Sequence, residues 1–138
     1  MDSTKPPGTA ASAAQPPAGP TAKRLKIYSA QSGYVYEYYF LEMRPRRKFF
    51  GGPDYVYLYH VTTNRKDFAV IEVLVEDKAL RKWQLSNGRE LAEMERYAAA
   101  KMGLFRAFDE CPEPRQLRGG TVDEASIEAL LEPLGLND

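Results

Sequence analysis

Two short segments, GYVYEYYF at residues 33–40 and DYVYLYH at residues 54–60, contain most of the tyrosines of this chain. Eight of its nine tyrosines fall between Tyr28 and Tyr59. Aromatic and β-branched residues favour the pleated surface of a sheet, so both segments predict strands. Because side chains alternate between the two faces of a strand, the sequence poses one main question: which tyrosines face the core and which face outward.

The order of secondary-structure signals predicts an α+β fold. Strand-like runs cover 24–31, 34–43, 54–62 and 67–76, and helical periodicity follows at 78–85, 89–110 and 125–136. We expect a four-stranded antiparallel β-meander packed on one face by a long helix, plus a short helix and a C-terminal helix.

The domain is expected to span residues 24–138. Residues 1–23 contain no aromatic residue and no Val, Ile or Leu, which predicts a disordered Pro/Ala-rich tail. Residues 1–23 lack the apolar h-region of a secretory signal, and no apolar run reaches the roughly 18 residues expected of a membrane span. Its single cysteine, Cys111, excludes an intrachain disulfide. These features predict a cytoplasmic protein with no membrane partner.

Loop lengths determine the orientation of the tyrosines. A two-residue turn at Ser32-Gly33 would point Tyr36 and Tyr38 toward the core. A two- or four-residue loop within 63–66 would turn Val56, Leu58 and His60 inward. The tyrosines expected to face outward are then Tyr28, Tyr39, Tyr55, Tyr57 and Tyr59. A three- or five-residue second loop would exchange the faces, and the alternative in which most tyrosines are core stays open.

The zero net charge of the chain conceals a strong asymmetry. Residues 23–66 carry nine Lys/Arg against three Asp/Glu, whereas residues 67–138 carry nine Lys/Arg against fifteen Asp/Glu. Such asymmetry is typical of a surface that binds nucleic acid or an acidic partner, or of two complementary faces. The candidate phosphate-binding residues are Arg44, Arg46, Arg47, Lys48, Arg65 and Lys66.

Outward tyrosines beside these cations predict a non-catalytic binding domain for single-stranded DNA or RNA. The bases would stack on the rings, and Arg and Lys would neutralise the phosphates. The alternative is a protein-interaction or self-assembly module that uses the same tyrosine-rich face, since Tyr and Arg are also enriched at protein interfaces.

The sequence offers few residues for catalysis. His60 is the only histidine and is expected to be a hydrogen-bonded structural residue, and nothing in the sequence places Cys111 beside it. One His and one Cys do not make a usual zinc site. No cofactor or metal is predicted, and a catalytic role is not favoured, although carboxylates paired in space would escape detection.

Overall fold

A computed structural model describes residues 24–136, so the predicted tail at 1–23 lies outside the described residues. The chain forms five strands and three α-helices, with short 3₁₀ turns at Pro114–Gln116 and Glu132–Leu134. The elements are β1 (Lys26–Ser29), β2 (Val35–Arg46), β3 (Asp54–Thr62), β4 (Ala69–Val75), α1 (Asp77–Asn87), α2 (Glu93–Glu110), β5 (Gly119–Val122) and α3 (Ile127–Leu131).

The predicted α+β class is confirmed, but the predicted four-stranded sheet is incomplete. Strands β1 to β4 form the expected antiparallel meander, and β5 adds a fifth strand parallel to β4, so the sheet is mixed and forms a half-barrel. The four-residue strand β5 contains Gly119 and Gly120, two residues that disfavour strands. The sequence of this segment is therefore typical of a loop.

The first hairpin differs from the prediction by one residue of register. Ser29 lies opposite Val35 as the last pair before the turn. Five residues, an odd number, connect this pair, whereas the prediction had a two-residue turn. The Gly33 amide donates to the Ala30 carbonyl at 3.0 Å, and Gly33 has φ +97°, a conformation that strongly favours glycine. The one-residue slip turns Tyr28 toward the core together with Tyr36, and turns Ile27 outward.

The second hairpin shows the same slip. Val61 lies opposite Ala69, and the seven residues between them again make an odd number. Tyr55, Tyr57 and Tyr59 consequently share the core face with Val73 and Val75, while Val56, Leu58 and His60 lie on the opposite face. The predicted faces of these two strands are wrong because the connection contains an odd number of residues instead of the even number predicted within 63–66.

Helix α2 packs across the core face of the sheet. It contacts β4 and β5, and its buried residues include Leu104 and Phe108. The helix begins at Glu93 rather than at residue 89, and the Glu95 carboxylate accepts a hydrogen bond from the Ala92 amide at 2.8 Å. Helix α3 packs against α1 and α2 and closes the same core with Ile127.

Candidate functional site

The predicted outward tyrosine face does not exist as an exposed surface. Tyr57 and Tyr59 are fully buried, and Tyr28 and Tyr55 are half-buried against the same core. Tyr39 lies on the opposite face as predicted, yet it too is buried. The outward assignments of Tyr28, Tyr55, Tyr57 and Tyr59 are wrong, because both hairpin loops contain an odd number of residues.

Several of these rings stack on the aromatic side chains of α2. Tyr36 lies parallel to Phe108 with ring centroids 4.1 Å apart, and Tyr28 lies parallel to Phe105 at 4.2 Å. The Tyr28 hydroxyl donates to the Asp109 carboxylate at 2.7 Å. Burial, together with this bond and the negative charge of Asp109, raises the pKa of Tyr28 to about 12. These tyrosines are therefore occupied in packing.

Tyr39 and His60 form a hydrogen-bonded pair on the sheet face turned away from α2. The Tyr39 hydroxyl and His60 Nδ1 are 2.7 Å apart, and the rings meet edge to face at 5.3 Å. Burial raises the pKa of Tyr39 and lowers that of His60. The hydrogen bond of His60 agrees with the sequence prediction. The predicted position does not, because His60 lies on the face opposite the core and not on the inward face.

The exposed aromatic surface lies instead on the β2–β3 loop, residues 47–53, where the side chains of Phe49 and Phe50 are 94% and 80% exposed. Their rings meet edge to face with centroids 4.8 Å apart. Sequence reasoning missed both residues, although the pair FF between a basic run and Gly-Gly-Pro was a visible signal.

The base of this loop is held by two carboxylates. Buried Asp54 accepts hydrogen bonds from Lys48 Nζ at 2.9 Å and from the Asp77 amide at 2.9 Å, and the Arg46 guanidinium lies 3.8 Å away. Burial alone would raise the pKa of Asp54, but the Asp77 amide, Lys48 and Arg46 together lower it. Asp77 in turn accepts from the Gly52 amide at 3.1 Å. The loop therefore has a fixed base and an exposed tip.

A cleft of about 320 Å³ lies beside the loop base, between β3, α1 and the start of α2. In its wall, the guanidinium carbon of Arg96 lies 3.7 Å above the Tyr55 ring, and Arg96 Nε donates to the Tyr57 hydroxyl at 2.9 Å. Arg81 also lines the cleft and is paired with Asp77 at 3.0 Å. Tyr55 and Tyr57 thus hold a cation near the loop.

The structure brings four of the six predicted cations together and separates the other two. Arg44, Arg46, Arg47 and Lys48 lie at the β2–β3 end of the sheet, where Arg44 pairs with Glu42. Arg65 and Lys66 lie in the β3–β4 loop at the opposite end. There Arg65 makes a bidentate contact with Glu37, with Nε and a terminal nitrogen at 2.8 and 2.7 Å from its oxygens. Among the described residues, Arg47 and Lys66 form no ion pair.

His60 and Cys111 do not form the hydrogen-bonded pair of a Cys–His nucleophile. Cys111 belongs to the core on the α2 side and donates to the Glu113 carbonyl at 3.0 Å, whereas His60 lies on the opposite face. Within residues 24–136, no group of three or more His, Cys, Asp or Glu side chains is arranged to hold a metal ion. In the same range, no helix has the length and apolar character needed to cross a membrane.

Comparison of the chain with protein-family models, with curated proteins and with solved structures finds no match.

Proposed function

We propose that this chain is a non-catalytic binding domain whose β2–β3 loop binds single-stranded nucleic acid. The observation that carries the proposal is the pair Phe49 and Phe50, which project from a basic loop with most of their ring surface exposed. Stacking of a base on an exposed aromatic ring contributes about 1–3 kcal/mol. In this proposal Phe49 and Phe50 stack on the bases, a role that the sequence analysis predicts for the tyrosines.

The cations of the loop supply the second component of such a site. Arg47 forms no ion pair within the described residues, and Arg44, Arg46 and Lys48 are held by Glu42 and Asp54. The Arg44–Glu42 pair is exposed, and exposed ion pairs contribute only about 0–1 kcal/mol, so a phosphate competes effectively for Arg44. Lys48 and Arg46 stay with the buried Asp54 carboxylate, because removing them would leave its charge uncompensated. One or two phosphate contacts, from Arg47 and Arg44, predict a slope of log affinity against log salt between about −0.7 and −1.4.

Fluorescence anisotropy of labelled mixed-sequence single strands, DNA and RNA, tests this proposal. We expect the double substitution Phe49→Ala/Phe50→Ala to weaken binding at least about tenfold, because two stacking contacts are lost. Leu85→Ala is the matched control, since Leu85 is an apolar side chain on α1 that is 87% exposed and lies outside the cleft wall. We expect this control to bind like the unaltered chain.

The contribution of the loop cations to binding is tested with a second pair of variants. Arg47→Gln should weaken binding and make the salt slope shallower, whereas Lys66→Gln, at the other end of the sheet, should change neither. Absence of binding up to about 100 µM protein at low salt, the weak end of non-specific association, would contradict the proposal. Binding to anionic lipid vesicles but not to single strands would contradict it too, since interfacial anchors combine aromatic and basic residues as well.

A protein-interaction or self-assembly role is the second candidate. It is favoured by three apolar side chains, Ile27, Val35 and Val70, which are exposed on the sheet face turned away from α2. Sedimentation velocity over a range of concentrations tests self-assembly, and Val70→Glu should abolish any association at this face. For both candidates we propose a cytoplasmic setting, in which the single cysteine stays reduced.

A further inference from the structure

The cleft of about 320 Å³ beside the β2–β3 loop contains two opposite charges that do not pair with each other. Arg96 and Glu90 both line it, yet neither side chain forms an ion pair with any described residue. The other charged residues of the wall, Arg81 and Asp77, pair with one another at 3.0 Å. Opposite charges that share a cleft without meeting leave space for a ligand with hydrogen-bond acceptors on one edge and donors on another.

Arg96 is held as a fixed donor in this cleft. Its guanidinium carbon lies 3.7 Å from the centre of the Tyr55 ring, and its Nε donates to the Tyr57 hydroxyl at 2.9 Å. Its two terminal nitrogens make no hydrogen bond to the described residues. Because the guanidinium is already held in place, less conformational entropy is lost when a ligand binds it. Its planar fork matches a ligand with two neighbouring acceptor atoms.

Guanine is the base whose edges match these two side chains. Its O6 and N7 are neighbouring acceptors that bind arginine in a bidentate manner, whereas adenine has a donor amino group beside N7. The adjoining edge of guanine carries N1–H and the exocyclic amine, two donors for the Glu90 carboxylate. Leu80 and Leu91 supply apolar walls for the rings. A cavity of about 150 Å³ takes up benzene, so this larger cleft has room for a purine.

The cleft is continuous with the loop that carries the proposed function. Gly52 lines the cleft and follows Phe50 by two residues, so their Cα atoms are at most about 7 Å apart. A base stacked on Phe50 and a base in the cleft can therefore belong to one strand. We propose, on the basis of the proposed function, that the cleft selects guanine in the bound single strand. Arg96 donates to O6 and N7, and Glu90 accepts from N1–H and the amine.

Fluorescence anisotropy of labelled thymine strands with one central guanine, adenine, hypoxanthine or 7-deazaguanine tests this proposal on the full chain. We expect the guanine strand to bind at least about fivefold more tightly than the adenine strand, the smallest effect of one bidentate contact. Hypoxanthine lacks the exocyclic amine, and 7-deazaguanine lacks N7. Each of these two strands should therefore bind more weakly than the guanine strand.

Two variants connect this preference to the cleft. Glu90→Ala and Arg96→Lys, which keeps the charge but loses the fork, should each reduce the ratio of guanine to adenine affinity. Glu90 is exposed and unpaired, so its substitution retains the fold. Glu93→Ala is the matched control, because Glu93 is an exposed carboxylate at the start of α2 outside the cleft wall, and it should leave the ratio unchanged. Phe49→Ala/Phe50→Ala should weaken all the strands alike.

The possible failures differ from one another. Equal affinity for the guanine and adenine strands would overturn the selection of guanine and leave the loop proposal standing. A guanine preference that persists in both Glu90→Ala and Arg96→Lys would overturn the assignment to the cleft. Absence of binding to every strand would overturn the loop proposal and this one together.

Discussion

At the scale of single residues, the tyrosine hydroxyls of the core differ in whether they are hydrogen-bonded. Tyr57 accepts a bond from Arg96, and Tyr28 donates one to Asp109. Tyr59 is completely buried, and its hydroxyl has no partner in the described part of the chain. Burial raises the pKa of Tyr59 strongly, so this phenol stays neutral.

This difference predicts opposite results for two identical substitutions. Tyr59→Phe removes a hydroxyl with no partner, so the free energy of unfolding should stay the same or rise by about 1 kcal/mol. Tyr57→Phe removes the partner of a guanidinium and should lower it by about 1–2 kcal/mol. Urea midpoints of the two variants make the comparison. A larger loss for Tyr59→Phe than for Tyr57→Phe would show that the Tyr59 hydroxyl is bonded in solution.

His60 predicts how stability responds to pH. Burial lowers its pKa in the folded chain below the ordinary 6.5, so the unfolded chain binds the proton more tightly. The free energy of unfolding should therefore be highest above about pH 6.5 and should fall as the pH drops through the window below it. Because His60 is the only histidine, His60→Gln should remove this slope between pH 5.5 and 7.5. Equal slopes of the free energy of unfolding against pH in the two proteins would show that His60 is not the cause of the pH dependence.

At the scale of secondary-structure elements, loop length and glycine decide the sheet. An odd number of loop residues turns the tyrosines of β3 inward, and Gly119 allows β5 to approach β4. A Cβ atom on Gly119 would lie 2.3 Å from the Glu72 carbonyl oxygen, and its φ is +148°. The fifth strand thus depends on a glycine that reads as a loop residue in the sequence.

Gly119→Ala should consequently cost about 3 kcal/mol or more, because both the backbone conformation and the neighbouring strand resist the methyl group. Gly88→Ala is the control: Gly88 has φ +76° but open space around it, so only the backbone strain of about 1–2 kcal/mol applies. Thermal or urea unfolding compares the two. Equal losses would mean that the contact with Glu72 contributes nothing.

At the scale of the whole molecule, the charge asymmetry of the sequence persists in the fold. Every ion pair between described residues joins two residues of the same segment, as in Lys48–Asp54 within residues 23–66 and Arg89–Glu95 within residues 67–138. No ion pair in this part of the chain therefore links the basic and acidic segments, and the β2–β3 loop keeps the excess of cations that its proposed function needs.

The sheet and the three helices share one core, which predicts cooperative unfolding. Trp83 of α1 is fully buried in the same cluster as Tyr59 of the sheet and Leu131 of α3. Its fluorescence should report the same urea midpoint as far-ultraviolet circular dichroism, as expected for a two-state domain. Separate midpoints would show that α1 unfolds independently of the sheet.

Much of this fold was readable from local sequence. The aromatic and β-branched runs predicted β1 to β4, and the spacing of Leu and Phe residues predicted α2, because both signals depend only on neighbours along the chain. The candidate site was half readable. The sequence indicates the basic run at 44–48, but it predicts the aromatic partners at Tyr55, Tyr57 and Tyr59 instead of Phe49 and Phe50, since exposure is not a property of residue type.

The sequence by itself determined the α+β class, the antiparallel meander and the basic character of residues 44–48. Only the tertiary structure decided which rings are exposed, because a single residue of loop length exchanges the two faces of a strand and no local signal records that length with such accuracy. It also decided that β5 exists. This strand depends on residues far apart in the chain, because Gly119 packs against Glu72.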